Sequence, residues 1–153
     1  MKTILFVCTG NICRSPMAMG LLREKLRKAG LEGEYRVHSA GVWGLEGQPP
    51  TGYAGEAMAK RSIDISDHRS HDLTPEDVEE ADLILTMERG QAEAISVEFP
   101  QHAHKVHLLS EMIGRHYDIA DPYGGNLYEY RLCAAEIERI IEEGYPRIMQ
   151  LVG

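Results

Sequence analysis

The chain has 153 residues and a mass of 17.1 kDa, which predicts one domain spanning residues 1–153. Its 43% hydrophobic and 26% charged residues are typical of a globular protein, and its longest uncharged apolar runs, residues 3–7 and 83–87, are far too short to span a membrane. The 16 basic and 24 acidic residues give a net charge of −8. This charge disfavours nucleic acid and anionic membranes as partners, but it leaves room for a small local anion site.

Hydrophobic periodicity and turn signals predict strands that alternate with helices. The first strand, residues 2–7, is a continuous β-prone run that ends in a Cys-Thr-Gly-Asn turn. The first helix is expected to begin at Ser15 as its cap, with Pro16 in the first turn, and to close at Gly30. The other predicted elements are strands at residues 35–40, 81–87 and 105–109, and helices at 53–61, 74–80, 91–99 and 126–150.

This alternation predicts an α/β fold in which a four-stranded parallel sheet is covered by helices on both faces, as a three-layer sandwich. In such folds ligands bind beyond the carboxyl ends of the strands. The first predicted strand leads directly to Cys8, so we expect a site there.

The cysteines Cys8, Cys13 and Cys133 are odd in number. The N-terminal sequence also lacks the apolar stretch and cleavage site of a signal peptide. Together these features argue against a disulfide framework and favour a cytoplasmic location. Cys133 lies among apolar residues of the last predicted helix, so we interpret it as a core residue.

The loop at residues 8–15 reads Cys-Thr-Gly-Asn-Ile-Cys-Arg-Ser and enters a predicted helix N-terminus, where free backbone N–H groups and the helix dipole favour an anion. Gly10 and Asn11 tolerate the backbone conformations that curl successive N–H groups inward. Arg14 adds a planar cation matched to two phosphate oxygens. The same positive field favours the thiolate form of Cys8, so the loop predicts phosphoryl transfer to sulfur.

These residues also admit other interpretations. A Cys-x5-Arg spacing alone is a weak pattern, and a cysteine at a strand end is often only a core residue. A phosphate-binding module without turnover is a second functional class, but such a module requires neither a nucleophile nor an acid. A further alternative, metal binding by His102, His104 and His107, lacks a completing ligand.

Attack on a phosphate ester requires an acid to protonate the leaving oxygen. Asp121, in an Asp-Pro-Tyr-Gly-Gly segment before the last predicted helix, is the candidate, and Asp118 is its rival. An ordinary Asp-Pro turn is the structural alternative for this segment.

Three segments together resemble the low-molecular-weight protein-tyrosine phosphatases: Val-Cys-Thr-Gly-Asn-Ile-Cys-Arg-Ser-Pro at the first loop, His-Ser-Ala-Gly at residues 38–41, and Asp-Pro-Tyr at 121–123. The resemblance covers essentially the whole chain. It implies a phosphatase that hydrolyses phosphotyrosine in proteins through a cysteinyl-phosphate intermediate.

The resemblance also implies roles for individual residues. Cys8 is the nucleophile, Arg14 clamps the phosphoryl oxygens, and Asp121 acts as acid and then as base. Ser15 hydrogen-bonds the thiolate. Cys13 either supports the packing of the phosphate-binding loop or, under oxidation, forms a reversible disulfide with the nucleophile. The remaining loop residues bind phosphate or brace the loop: Thr9, Gly10, Asn11 and Ile12, with Ser39 and His68 (alternatively His71) holding Asn11.

The substrate pocket is expected to be walled by Ile12, Trp43 and Tyr123. Trp43 covering the edge of the hydrophobic core is the alternative for that residue. Related protein-arginine phosphatases carry a threonine where this chain has Ile12. Because isoleucine neither donates nor accepts a hydrogen bond, we favour phosphotyrosine and keep protein-arginine phosphatase as the alternative.

Arsenate reduction on the same fold requires a cysteine pair near the third strand, which is absent from this sequence. We expect no metal or organic cofactor, because the loop and Arg14 supply the positive charge. Expected partners are phosphorylated proteins, with inorganic phosphate and other oxyanions as competitive ligands and no nucleic acid or membrane insertion. We expect the chain to be a monomer or a weak dimer.

Overall fold

The structure is a computed structural model that describes residues 1–43 and 46–153, so residues 44 and 45 lie outside the described residues. Four parallel strands form one sheet in the order β2-β1-β3-β4. They are β1 (Lys2–Cys8), β2 (Tyr35–Gly41), β3 (Leu83–Thr86) and β4 (Val106–Leu108). The predicted fold class is confirmed.

Helices connect these strands within the described residues. The α-helices are α1 (Arg14–Lys28), α2 (Gly52–Ala59), α3 (Pro75–Glu80), α4 (Arg89–Glu98) and α5 (Leu127–Val152). Two short 3-10 helices, Pro100–Lys105 and Leu109–Ile113, flank β4 and were not predicted. No helix in the described ranges is both long and apolar enough to cross a bilayer.

The core is divided by the sheet into two clusters because side chains alternate along β1. Ile4 and Phe6 pack into the cluster built with α1, α2 and α5. Leu5 and Val7 pack into the smaller cluster, which includes Val78 of α3. Burial on both faces explains why β1 reads as a continuous apolar run rather than as an alternating one.

The start of α1 differs from the expectation that Ser15 caps it. The helix begins at Arg14, and the preceding residue, Cys13, makes no capping side-chain hydrogen bond. The Ser15 hydroxyl is instead committed to Cys8 and Asn11. The first turn of α1 is therefore part of the loop that follows β1, and the strand order places the ends of β2 and β3 on either side of it.

Candidate active site

The loop between β1 and α1 curls around the sulfur of Cys8. Asn11 has a positive φ of 60°, which turns its N–H toward Cys8 Sγ at 3.3 Å. Asparagine adopts this left-handed conformation more readily than most residues. The Ser15 hydroxyl lies 2.9 Å from the same sulfur. The sulfur is thus surrounded by groups that can donate hydrogen bonds to it.

The side chain of Asn11 is fully buried and uses both ends of its amide. Its Nδ2 donates to Ser15 Oγ at 2.8 Å and to Ser39 Oγ at 2.9 Å. Its Oδ1 accepts from the backbone N–H of His71 at 2.8 Å. The strained residue is therefore held by α1, by β2 and by the segment that precedes α3.

The two histidines considered for bracing the loop hold Asn11 in different ways. The ring Nε2 of His68 lies 2.8 Å from the carbonyl oxygen of Asn11, so this nitrogen carries a proton and donates. Burial lowers the pKa of His68 below its ordinary value, which favours the neutral ring with its proton on Nε2. His71 contributes its backbone N–H, while its ring pairs with Asp77 at 2.7 Å.

Arg14 is 1% exposed and lies under the loop. Its Nη1 donates to Glu88 Oε2 at 2.5 Å and to the carbonyl of Ile119 at 2.7 Å, and its Nη2 lies 3.5 Å from Asp121 Oδ2. Burial alone lowers the pKa of the guanidinium, but the Cys8 sulfur and the two carboxylates outweigh it, so the net pKa is raised.

One donor of Arg14 stays free. Its Nε is buried and has no partner among the described residues. A buried unpaired donor on a cation is costly unless a ligand completes it. The free edge of the guanidinium therefore points to an oxyanion as the missing acceptor.

Asp121 and Asp118 lie in different surroundings. Asp121 lines the same cavity as Cys8, and its Oδ1 accepts from the N–H of Tyr123 at 3.0 Å. Asp118 binds Arg89 through the backbone N–H at 2.8 Å and through the side chain at 3.3 Å, outside that cavity. Of the two acids, only Asp121 is placed to reach a group bound at Cys8.

The predicted catalytic and pocket residues meet in a cavity of about 210 Å³. Trp43 and Tyr123 stand at its mouth with 82% and 66% of their surface exposed. A larger cleft of about 600 Å³ between α1 and β2 includes His68 but contains no cysteine, so it lacks the thiol that the predicted chemistry requires. The small cavity is lined by Cys8, Thr9, Gly10, Ile12, Cys13, Arg14, Trp43, Asp121 and Tyr123.

The other two cysteines are buried and free. Burial raises the pKa of Cys13, partly opposed by hydrogen bonds to Tyr130, whose hydroxyl lies 3.3 Å from the sulfur, and to Thr51. Burial raises the pKa of Cys133 to about 12. Both thiols are therefore protonated at neutral pH.

Sequence reasoning missed Glu88, Gln91 and Tyr130, which contact the loop from distant elements. Glu88 is the N-cap residue of α4 and Gln91 lies in the first turn of that helix, just beyond β3. A glutamine at the third position of a helix is one half of a capping box and marks this turn, and the adjacency of β1 and β3 brings the turn to Arg14. Among the described residues, no group of three potential ligands is placed to hold a metal ion.

Comparison with known proteins places these residues in a family context. Residues 3–149 match the family model described as low molecular weight phosphotyrosine protein phosphatase. The chain is 43% identical, over 98% of both chains, to the probable low molecular weight protein-tyrosine-phosphatase EpsP of Ralstonia nicotianae. It is 38% identical, over 92% of both chains, to the protein-arginine-phosphatase of Bacillus subtilis. The crystal structure of a YwlE mutant from Bacillus subtilis superposes with a TM-score of 0.91 at 35% identity, covering 97% of this chain and 99% of that one.

Proposed function

Because the chain belongs to the low molecular weight phosphotyrosine protein phosphatase family, we propose that Cys8, Arg14 and Asp121 carry out its hydrolysis of phosphotyrosine in proteins. One observation carries this assignment: the three side chains line a single cavity of about 210 Å³. A nucleophile, a phosphate-binding cation and an acid are the groups that a phosphocysteine mechanism requires.

In the first step the Cys8 thiolate attacks phosphorus, and the bond between phosphorus and the phenolic oxygen breaks. Asp121, in its protonated form, gives its proton to the departing phenolate. Ser15 and the N–H of Asn11 donate to the sulfur at 2.9 and 3.3 Å, which stabilises it as a thiolate before attack and as a leaving group later. The phosphoryl group is now bound to sulfur.

In the second step the Asp121 carboxylate takes a proton from water while the water oxygen attacks phosphorus. The sulfur–phosphorus bond breaks, yielding inorganic phosphate and the Cys8 thiolate. Throughout, the free Nε of Arg14 and the N–H groups of the loop hold the phosphoryl oxygens. The protein supplies this positive charge from its own groups.

The cavity wall supports phosphotyrosine over phosphoarginine. Ile12 lines the wall and offers no hydrogen bond to a guanidinium group, whereas the exposed rings of Trp43 and Tyr123 can pack against a phenyl ring. Protein-arginine phosphatase stays the second candidate, supported by the 38% identity to the enzyme of that name.

The test is the initial rate of phosphate release from two peptides that differ only in carrying phosphotyrosine or phosphoarginine, with Cys8→Ser as the blank. Faster release from the phosphotyrosine peptide is expected. Faster release from the phosphoarginine peptide reverses the substrate assignment. Release no faster than the blank from either peptide rules out the mechanism. Cys8→Ser is expected to retain binding of inorganic phosphate, since the loop and Arg14 are intact.

Phosphoproteins are thus the substrates, and inorganic phosphate is proposed as a competitive ligand of the same loop. We also propose that residues 1–153 act as one domain, as a monomer or weak dimer. A cytoplasmic location is supported by the three free cysteines, including the nucleophile, which persist best in a reducing compartment.

A further inference from the structure

Gln91, in the first turn of α4, is a buried polar side chain that the mechanism above does not use. It is 5% exposed, and both ends of its amide are engaged. Its Oε1 accepts from the backbone N–H groups of Met87 and Glu88, each at 3.0 Å. Its Nε2 donates to Thr9 Oγ1 at 3.1 Å and to Glu88 Oε2 at 3.4 Å.

The two ends of this amide serve different purposes. The oxygen satisfies N–H groups where β3 passes into α4, which is the ordinary work of a helix cap. Among the described residues, the nitrogen donates to Thr9, in the phosphate-binding loop, and to the carboxylate of Glu88. A residue needed only as a cap would not require the second pair of contacts.

The contact with Glu88 leads directly to the catalytic cation. The oxygen that accepts from Gln91, Glu88 Oε2, also accepts from Arg14 Nη1 at 2.5 Å. The side chain of Glu88 is about one-third exposed, so it needs support to stay in place. Gln91 supplies that support from one side and Arg14 from the other.

We propose that Gln91 is a positioning residue for phosphoryl transfer, which ties Thr9 of the loop to the Glu88–Arg14 ion pair and so fixes the guanidinium relative to the phosphoryl oxygens. This inference rests on the proposed function. The orientation of the arginine matters because its contacts strengthen as charge builds on the oxygens in the transition state.

The first variant is Gln91→Glu, which keeps an oxygen for the two capping N–H groups but sets a carboxylate beside that of Glu88. The matched control is Gln101→Glu, which makes the same charge change at an exposed site. The second variant, Thr9→Val, removes only the hydroxyl that accepts from Gln91 Nε2. The measurements are kcat and KM on a phosphotyrosine peptide, the Kd of inorganic phosphate, and the melting temperature.

For Gln91→Glu we expect kcat to fall about tenfold at neutral pH, with a smaller change in KM and a melting temperature close to that of the control. Two neighbouring carboxylates share a proton at lower pH. The charged groups nearest to them are Arg14, which pairs with Glu88, and Asp121, which lies beside another nitrogen of Arg14. Relative to Gln101→Glu, the variant should therefore regain activity toward about pH 5.5. For Thr9→Val we expect kcat to fall about threefold and phosphate to bind more weakly.

A kcat within about twofold of the wild type for both variants overturns the inference. The inference is also overturned if kcat of Gln91→Glu falls only in proportion to a lower melting temperature and does not recover at lower pH. That result is expected of a residue that serves only as a helix cap. If Gln91→Glu fails to melt cooperatively, Thr9→Val decides the question. Failure of the proposed function gives a different result, namely wild-type turnover no faster than that of Cys8→Ser. In that case the Kd of inorganic phosphate still shows whether Gln91 and Thr9 influence the position of Arg14.

Discussion

Replacement of Asn11 by alanine tests whether the loop is held in shape by a single side chain. The alanine variant loses three hydrogen bonds: two buried ones to Ser15 and Ser39, and a partly buried one to the N–H of His71. Each is worth about 1 kcal/mol net. Alanine also resists the φ of 60° at this position, which costs roughly 1 kcal/mol more. We expect Asn11→Ala to lower the free energy of unfolding by about 4 kcal/mol.

Asn11→Gly separates the side chain from the backbone. Glycine loses the same three hydrogen bonds but adopts a positive φ without strain. Its greater flexibility in the unfolded chain offsets part of that advantage. We therefore expect the glycine variant to be more stable than the alanine variant by about 0.5 kcal/mol.

The assay is urea denaturation, with Asn126→Ala as the comparison. Asn126 is exposed at the start of α5 and accepts one hydrogen bond, from the N–H of Glu129 at 2.9 Å. Its replacement should cost about 1 kcal/mol. If Asn11→Ala is no more destabilised than Asn126→Ala, the side chain of Asn11 does not hold the loop. If the alanine and glycine variants are equally stable, the backbone at this residue is not strained.

Three further outcomes are expected. Gly41→Ala should lower the free energy of unfolding by about 1 to 3 kcal/mol in urea denaturation, and it should also lower kcat. The reason is that the added Cβ would lie 2.6 Å from the backbone oxygen of Thr9 in the phosphate-binding loop. His68→Gln should flatten the pH dependence of the melting temperature. Burial lowers the pKa of His68 in the folded state. The stability contributed by the neutral ring is therefore present above about pH 6.5 and is lost as the pH falls through the pKa of the folded state. Asp121→Asn should lower kcat on a phosphotyrosine peptide by about 10² or more, and by less on an aryl phosphate with a better leaving group.

Two of these outcomes have a matched control variant, and the third has a result that would contradict it. Asp118→Asn, on the neighbouring acid paired with Arg89, should keep kcat within about twofold, and an equal loss for both aspartates would remove the distinction between them. Gly55→Ala, where nothing lies within 4 Å of the added carbon, should leave kcat unchanged. If the melting temperature of His68→Gln falls as steeply as that of the wild type when the pH is lowered, the pH dependence does not arise from the His68 ring.

The alternation of strands and helices could be predicted because each main element carries its own hydrophobic period. The predicted strand at 81–87 and the helix at 126–150 overlap β3 and α5, with ends displaced by one or two residues. The 3-10 helices on either side of β4 were missed because five or six residues are too few to show a period. Ser15 was wrongly expected to cap α1, since the sequence does not show that its hydroxyl is needed at Cys8.

The candidate site likewise has a part that could be predicted from the sequence and a part that could not. Cys8 to Ser15 are contiguous, so their chemistry can be read as one motif. The partners that hold the loop lie far along the chain: Glu88 is 74 residues from Arg14, and Tyr130 is 117 residues from Cys13. Their contacts follow from the strand order and from the packing of α5, which the hydrophobic pattern of one chain does not specify.

The Glu88 carboxylate beside Arg14 also bears on how fast the enzyme can begin its next cycle. At 2.5 Å it offsets the charge of the guanidinium from within the protein, whereas Asp121 has taken up a proton by the time hydrolysis is complete. A phosphate dianion left in the cavity after hydrolysis therefore meets a weaker net attraction than an unaccompanied arginine would exert. Weaker attraction speeds dissociation more than it slows arrival, because differences in affinity reside mostly in the off-rate. The arrangement favours rapid product release over tight retention.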